Sequence, residues 1–442
     1  MIHRNLHPLN FVCSCDENDD KHPSIGQSVA DATGVQMADW SSKNPYMSTI
    51  TENYILNGEG SRKETRHIAF DLGDSGLTYK VGDALGVMAQ NPPHIVDELI
   101  EVQGWDADEM VITHNGEKSL WDALKCDFEV HMANKKFVAS LADKVVSGQL
   151  RIKSTVMRRV RNGQEIDEEL PQGEAKDDPV STVEQINSSK EEVEDYLWTR
   201  DYIDIMREFD VKYSAEEFME IADRLKPRLY SISSSLDAHP GLVELTVGIV
   251  RFEYNNRPRG GLCTLYLADE IGNKEIGVFM SPTKSFVLPE DKSIDIMMVG
   301  PGTGIAPFRA FMEQRVHDGA TGRNWLFFGD QSEKTEYYYK ETIEDWVKSG
   351  DLYKFTTAWS RDQAEKIYVQ DRLRENGPEV WEWFDSGAYF YICGDKSRMA
   401  KDVHTALIDI VEEHGKMSRD DAVHYVEKRM MREEKRYLRD VY

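Results

Sequence analysis

Long apolar runs are missing from this chain of 442 residues. No stretch of about 18 apolar residues occurs, so no membrane-spanning helix is expected. Residues 1–10 are broken by charged and polar side chains and hold no apolar core, so no signal peptide is expected. Cysteine is scarce: five residues, Cys13, Cys15, Cys126, Cys263 and Cys393, an odd and scattered set. That argues against a disulfide framework and for a reducing, cytoplasmic setting. Cys13-Ser14-Cys15 has no second Cys/His pair nearby, so no metal centre is expected. With 30 glycines and 15 prolines, the chain has too few of either for a collagen-like or disordered polymer. Positive charge is also short: 53 Lys and Arg face 79 Asp and Glu, a net charge of −26. A field of that sign repels nucleic acid and anionic membranes, although a local cationic pocket remains open to it. The same charge either steers docking to a basic partner or simply aids solubility.

What is present is ordinary for a globular protein: 40% hydrophobic and 30% charged residues, at a length suited to two or three domains. Residues 1–45 are polar and without periodicity, and are expected to be a flexible extension. Residues 49–56, 66–72 and 77–81 are short β-branched runs, with a hairpin-type turn at Gly73-Asp74-Ser75-Gly76. From residue 94 to about 225 the spacing turns helical after a proline start, interrupted by an acidic stretch at 161–195 expected to be a solvated loop. Strand patterning returns at residues 228, 242–252 and 274–280. Residues 47–285 therefore read as an antiparallel β unit, a barrel or sandwich, carrying a helical insertion.

The remainder alternates. Apolar runs at 294–299, 324–328, 352–358 and 388–393 are separated by helical patterns at 306–317, 333–348, 369–376 and 396–414. That order predicts a doubly wound α/β domain with a parallel sheet. Ligands on such sheets sit beyond the carboxyl ends of the strands. Those ends carry Gly300, Gly329, Ser360 and Gly394.

Five constellations could carry chemistry. Gly300-Pro301-Gly302-Thr303-Gly304-Ile305-Ala306-Pro307 follows a buried run and opens a helix, an arrangement that lets backbone N–H groups meet a phosphate. Ser360 and Arg361, followed by Lys366, Tyr368 and Gln370, suit a phosphate monoester beside a flat base, or else an exposed helix start with ordinary surface cations. Arg228-Leu229-Tyr230-Ser231 would set a cation, a ring and a hydroxyl along one strand, or else is an ordinary barrel strand. Gly260-Gly261-Leu262-Cys263-Thr264 is a second glycine turn into a helix, with Thr264 as an added donor. The fifth, Arg439-Asp440-Val441-Tyr442, gains interest only from the company of the others.

Together these motifs resemble the ferredoxin–NADP+ reductase-like module of the diflavin reductases. Within that family they are most similar to the flavoprotein subunits of NADPH-dependent sulfite reductase, and more distantly to cytochrome P450 reductase. The resemblance runs over residues 46–442 and includes Arg228-Leu229-Tyr230-Ser231-Ile232-Ser233-Ser234, the 300–309 loop, Ala358-Trp359-Ser360-Arg361-Asp362-Gln363, Tyr391-Ile392-Cys393-Gly394-Asp395 and Arg398-Met399-Ala400-Lys401-Asp402-Val403, in that order. It ends on Arg436-Tyr437-Leu438-Arg439-Asp440-Val441-Tyr442. It implies an FAD-binding β-barrel at 46–92 and 226–288, a helical connecting insertion at 93–225 and an NADP-binding domain at 289–442.

The resemblance implies roles as well. Arg228, Leu229, Tyr230 and Ser231 would bind FAD, with Thr246, Val247 and Gly248 lining its adenine side, Gly261, Leu262, Cys263 and Thr264 at its pyrophosphate, and Phe252 a further residue of the FAD segment. Gly302, Thr303, Ser360, Arg361, Lys366, Ile367, Tyr368, Val369, Gln370 and Asp402 would bind NADPH. Ser231, Cys393 and Asp440 would surround the point of hydride transfer, and Tyr442 would shield the flavin. The family often has Tyr where Phe252 stands, and Ser or Ala where Cys263 stands; one lost hydrogen bond, about 0.5–1.5 kcal/mol, would alter FAD affinity without abolishing it. Some 45 residues before the module are too few for a flavodoxin-like FMN domain, which leads to an expectation of one flavin in this chain. The acceptor is then a separate protein: the sulfite reductase haemoprotein, or a free flavodoxin or ferredoxin served by a stand-alone reductase. A non-catalytic scaffold is the remaining alternative, and no metal is expected.

Overall fold

The computed structural model describes residues 39–146, 156–161, 164–169, 179–198, 200–254, 257–270 and 274–442. Residues 1–38 of the expected N-terminal extension lie outside that set. The chain divides into two compact units, and no helix among the described residues is long and apolar enough to cross a membrane.

One unit comprises Ala89–Pro227 and Val250–Glu270. Its first helix, Pro93–Gln103, starts on Pro93, whose fixed φ suits the first turn, and stops at Gly104 in the left-handed region with φ 74°. Val96, Leu99, Phe137, Tyr202 and Phe218 from successive helices form the buried core. The Tyr202–Phe209 and Ala215–Ile221 helices each open on a reciprocal cap, at Asp201 with Asp204 and at Ser214 with Glu217. The acidic 161–195 stretch is not a loop throughout. It carries the strand Gln164–Glu169 and the helices Pro179–Ile186 and Lys190–Leu197, with residues 170–178 outside the described set. Sparse apolar residues account for the helices: Val183, Ile186 and Tyr196 are buried amid acidic surroundings.

The expected 242–252 run is two strands, Leu242–Ile249 and Arg251–Tyr254. The second pairs with Arg257–Gly260 in this unit, where Arg257 and Arg259 clamp onto Asp201 and Asp204 of the Tyr202–Phe209 helix.

The other unit holds two antiparallel sheets and a parallel one. A four-stranded sheet is built from Tyr46–Ser48, Ile276–Ser281, Ala84–Val87 and Arg228–Ser231, and a three-stranded sheet from Leu242–Ile249, Glu64–Asp71 and Ile50–Ile55. A bridge between Ile232 and Leu245 joins the two. Residues 77–81 are not the strand expected; the strand is Ala84–Val87. Tyr79 and Val81 are buried through tertiary packing, and the Asp83 carboxylate accepts the Lys80 N–H at 2.8 Å, closing a turn ahead of the strand.

The parallel sheet has five strands in the order Lys354–Trp359, Asn324–Asp330, Ile296–Val299, Tyr389–Gly394 and Tyr437–Val441. Strand periodicity separates its two faces. Met297, Val299, Trp325, Phe327, Phe390 and Ile392 enter one core, and Ile296, Met298, Leu326, Phe328, Tyr391 and Cys393 enter the other. Helices cover both faces, as the doubly wound expectation required. The helical run expected at 333–348 is broken into Glu333–Glu336 and Lys340–Ser349 by Tyr339, whose φ is +54°. The last strand was not foreseen from periodicity. It lies parallel to Tyr389–Gly394 and brings Asp440 opposite Cys393.

Candidate active site

The carboxyl edge of the parallel sheet carries the densest chemistry. Ile296–Val299 ends at Gly300, and a 3-10 turn over Gly302–Ile305 leads directly into the helix Ala306–His317. No side chain caps that helix; the Ala306 N–H is taken by the Thr303 carbonyl and the Gly304 N–H by that of Pro301 at 3.1 Å, and Pro307 has no N–H. Gly302 has φ +59°, a backbone that glycine adopts without strain. A Cβ on Gly304 would stand 2.2 Å from the Cys393 carbonyl oxygen. Gly304→Ala is therefore expected to cost about 1–3 kcal/mol by overpacking, read as a lower denaturation midpoint of the purified protein.

Beside this loop the structure brings together Ser231, Cys393 and Asp440. The Ser231 hydroxyl donates to Asp440 Oδ2 at 2.6 Å, and Cys393 Sγ lies 3.7 Å from the same oxygen. Two neighbouring parallel strands supply Cys393 and Asp440; the antiparallel strand Arg228–Ser231 supplies the hydroxyl. Tyr442 follows: its N–H donates to the Gly394 carbonyl at 3.1 Å, and its hydroxyl lies 3.1 Å from Thr303 Oγ1. The Thr303 methyl group would touch a Cβ on Gly248 at 3.3 Å, so the strand Leu242–Ile249 meets the loop there. Arg228, Leu229 and Tyr230 are half-buried on the strand that presents Ser231.

A second group lies beyond Lys354–Trp359. Ser360 is pinned to Asp330, its hydroxyl donating to that carbonyl at 3.1 Å, and the Arg361 N–H donates to Gln331 at 2.7 Å. Backbone bonds thus fix the turn while the Arg361 and Lys366 side chains stand exposed, without an acidic partner among the described residues. Tyr368 is 44% exposed at the start of the helix Val369–Glu375, whose first turn also carries the half-buried Gln370. Asp402 is exposed in the first turn of Met399–His414.

Several of the expected residues also make contacts within the fold. Val369 is buried, and the half-buried Ile367 packs against the same core. Val247 is buried, and the Thr246 hydroxyl is 2.7 Å from the Tyr339 hydroxyl. In the other unit, Gly261 begins the turn Leu262–Leu265, with Leu262, Cys263 and Thr264 buried. The Thr264 hydroxyl, expected as an open donor, gives its proton to the Gly261 carbonyl at 3.0 Å. A Cβ on Gly260 would lie 2.3 Å from the Val250 carbonyl oxygen, so this is a tight backbone turn in its own right. Phe252 faces Arg259 across the hairpin.

Sequence reasoning missed Asp330. It ends the strand Asn324–Asp330, and its buried carboxylate accepts from Lys63 Nζ at 2.6 Å, from Tyr338 at 3.2 Å and from the Gln331 N–H at 2.7 Å. A Cβ on Gly302 would lie 3.6 Å from it. Its place at a strand's carboxyl end was the available signal. Lys63 offsets a negative charge that would otherwise oppose an anion at the loop.

Comparison with known proteins agrees with this geometry. Residues 38–266 match the family described as FAD binding domain, and residues 298–405 match the oxidoreductase NAD-binding domain. The chain is 39% identical over 404 residues to the sulfite reductase (NADPH) flavoprotein alpha-component of Mannheimia succiniciproducens, covering 91% of this chain and 62% of that protein. The protein of the same name from Bacillus subtilis is 38% identical over 423 residues, covering 95% of this chain and 64% of its own length. The chain thus spans less than two thirds of the length of these relatives.

Proposed function

The chain belongs to the flavin oxidoreductases that join an FAD-binding domain to an oxidoreductase NAD-binding domain, as a homologue of the sulfite reductase (NADPH) flavoprotein alpha-components, and from that premise we propose that it moves electrons from NADPH through FAD to a protein acceptor. The acceptor we favour is the sulfite reductase haemoprotein, in the reduction of sulfite to sulfide. The observation that carries the proposal is the Ser231–Asp440–Cys393 cluster beside the dinucleotide loop. We keep the domain division 46–92 with 226–288, 93–225 and 289–442, and a cytoplasmic setting, as parts of the same reading.

The donor set suits a phosphorylated dinucleotide. Arg361 and Lys366 are cations without acidic partners among the described residues, beside a turn already held by backbone bonds. They would hold a 2′-phosphate, with Ser360 and Tyr368 at its adenosine. The cramped glycines of the loop, where Gly300 and Gly304 have no room for a side chain, suit close approach of the pyrophosphate. Arg228, Tyr230 and Ser231 are assigned to FAD, and so, separately, is the backbone turn at Gly261.

Bound FAD would supply the redox chemistry, accepting a hydride from NADPH with uptake of a proton and passing two electrons to the acceptor with release of two protons. The chain's own residues position and insulate. Asp440 holds the Ser231 hydroxyl and keeps it pointed one way. With nicotinamide and flavin bound, its carboxylate would offset the positive charge that develops on the ring being oxidised. Tyr442, tied to Gly394 and Thr303, covers the site and excludes water until nicotinamide displaces it.

The test is an anaerobic stopped-flow titration of the purified protein with NADPH, following flavin absorbance. Bound FAD that bleaches rapidly is the expected result. Protein without FAD, or with FAD that dithionite bleaches and NADPH does not, would overturn the reading.

A further inference from the structure

Behind the candidate site lies a buried charged cluster that the mechanism above does not use. Ligand atoms of His239, Glu244 and Glu313 lie within 4.8 Å of one another, a spacing that could suit a metal ion. A side-chain cation already fills that place. Arg309, on the helix Ala306–His317, bonds to Glu244 and lies 2.9 Å from Glu313 Oε1. His239 completes the group, 3.1 Å from Glu313 and 3.3 Å from Glu244. His67 packs on the far side, 3.8 Å from Glu244, with burial pushing its pKa down to about 4, and Tyr339 lies under the guanidinium at 4.8 Å.

Arg309 also reaches the backbone. Its Nη1 donates to the Ser233 carbonyl at 2.7 Å. Ser233 is two residues past Ser231, at the point where the chain leaves one antiparallel sheet for the other. The next residues are held as firmly. Glu244 N–H donates to the Ser234 hydroxyl at 3.0 Å, Ser235 N–H donates to Glu313 at 2.9 Å, and the Ser235 hydroxyl donates to Gln314 at 2.7 Å. One helix therefore opens at the dinucleotide loop and, a turn later, grips the segment behind Ser231.

We propose that Arg309 is a positioning residue for flavin reduction: through Ser233 and Glu244 it ties the strand end behind Ser231 to the dinucleotide-loop helix, and so sets the Ser231 hydroxyl against Asp440. The proposal rests on the functional reading above. Arginine suits the task because its planar fork reaches acceptors on three separate segments, whereas a lysine ammonium is a single point of charge. Catalytic rates depend steeply on such placement, since an error of about 1 Å can cost 100-fold.

Arg309→Lys keeps the charge that the two buried carboxylates require and removes the fork. Arg309→Met combined with Glu244→Gln removes one charge of each sign and guards against a failure to fold. In both, hydrogen exchange of the amides of residues 232–235 is expected to rise about 10-fold. Flavin bleaching by NADPH is expected to slow about 10-fold, with KM for NADPH within about 2-fold of the parent and a smaller loss for Arg309→Lys. Unchanged exchange in both variants would overturn the tie. Raised exchange with an unchanged bleaching rate would overturn its role in placing Ser231. If wild-type FAD is bleached by dithionite and not by NADPH, the functional reading fails, and the exchange measurement alone still decides whether Arg309 holds the segment.

Discussion

Asp440→Ala is expected to slow flavin reduction by NADPH about 100-fold while FAD stays bound. The size follows from what the carboxylate does. Its Oδ2 accepts the Ser231 hydroxyl at 2.6 Å and lies 3.7 Å from the Cys393 sulfur, so one oxygen orders two groups. Removing a preorganised group of this kind costs enzymes about 100- to 1000-fold in rate, because the charge that develops in the transition state must then be met by reorganising solvent. FAD should remain bound, because Arg228 and Tyr230, the side chains proposed to hold it, are untouched. Asp440→Asn separates charge from shape: it leaves an acceptor for Ser231 and removes the negative charge. A rate near that of the alanine variant assigns the effect to charge, and one near wild type assigns it to orientation. Ser231→Ala added to Asp440→Ala should slow the reaction little further, since groups acting as a unit are not additive. Stopped-flow bleaching rates, with FAD content counted in each variant, measure all of this. A wild-type rate for Asp440→Ala would reject the role.

The legible parts of this protein are those set by period and punctuation. Alternate residues of Ile296–Val299, Asn324–Asp330 and Tyr389–Gly394 fill opposite cores, and the apolar runs announced them. Glycine at the strand ends marked the edge where the candidate site lies. What stayed hidden depends on tertiary partners. Tyr79 and Val81 look like strand residues because they are buried, yet they precede the strand. Val183, Ile186 and Tyr196 are too sparse to outweigh the acidic composition around them, although each finds a core. In the site, the Ser231–Asp440 hydrogen bond joins residues 209 positions apart, so only family resemblance pointed to it. The Thr264 hydroxyl shows another such partner: it donates to the Gly261 carbonyl of the turn it helps close, a bond that composition does not reveal. Arg309 closes the 300–309 loop and Asp330 ends a strand, yet neither position shows which partners the fold sets beside it.

Arg361→Ala should separate the two nicotinamide coenzymes. The guanidinium is exposed and has no acidic partner among the described residues, while the backbone of its turn is fixed at Gln331 and Asp330. Truncating the side chain therefore removes a cation without loosening the turn that carries it. A charge-assisted hydrogen bond contributes about 1.5–3 kcal/mol, so KM for NADPH is expected to rise about 10- to 100-fold. The rate at saturation should hold within about 2-fold, because the 2′-phosphate is remote from the reacting ring and its binding is the same in ground and transition states. NADH lacks that phosphate and should be used as before, so the preference for NADPH shrinks by the whole of the KM change. Lys366→Ala should act in the same direction and less strongly, since a flexible ammonium offers a point charge where arginine offers a fork. Both effects should diminish as salt is raised, because an exposed cation is screened over about 8–10 Å at moderate ionic strength. Steady-state kinetics with each coenzyme at two salt concentrations decide the matter. Equal losses for NADPH and NADH would mean that Arg361 supports the turn and does not read the phosphate.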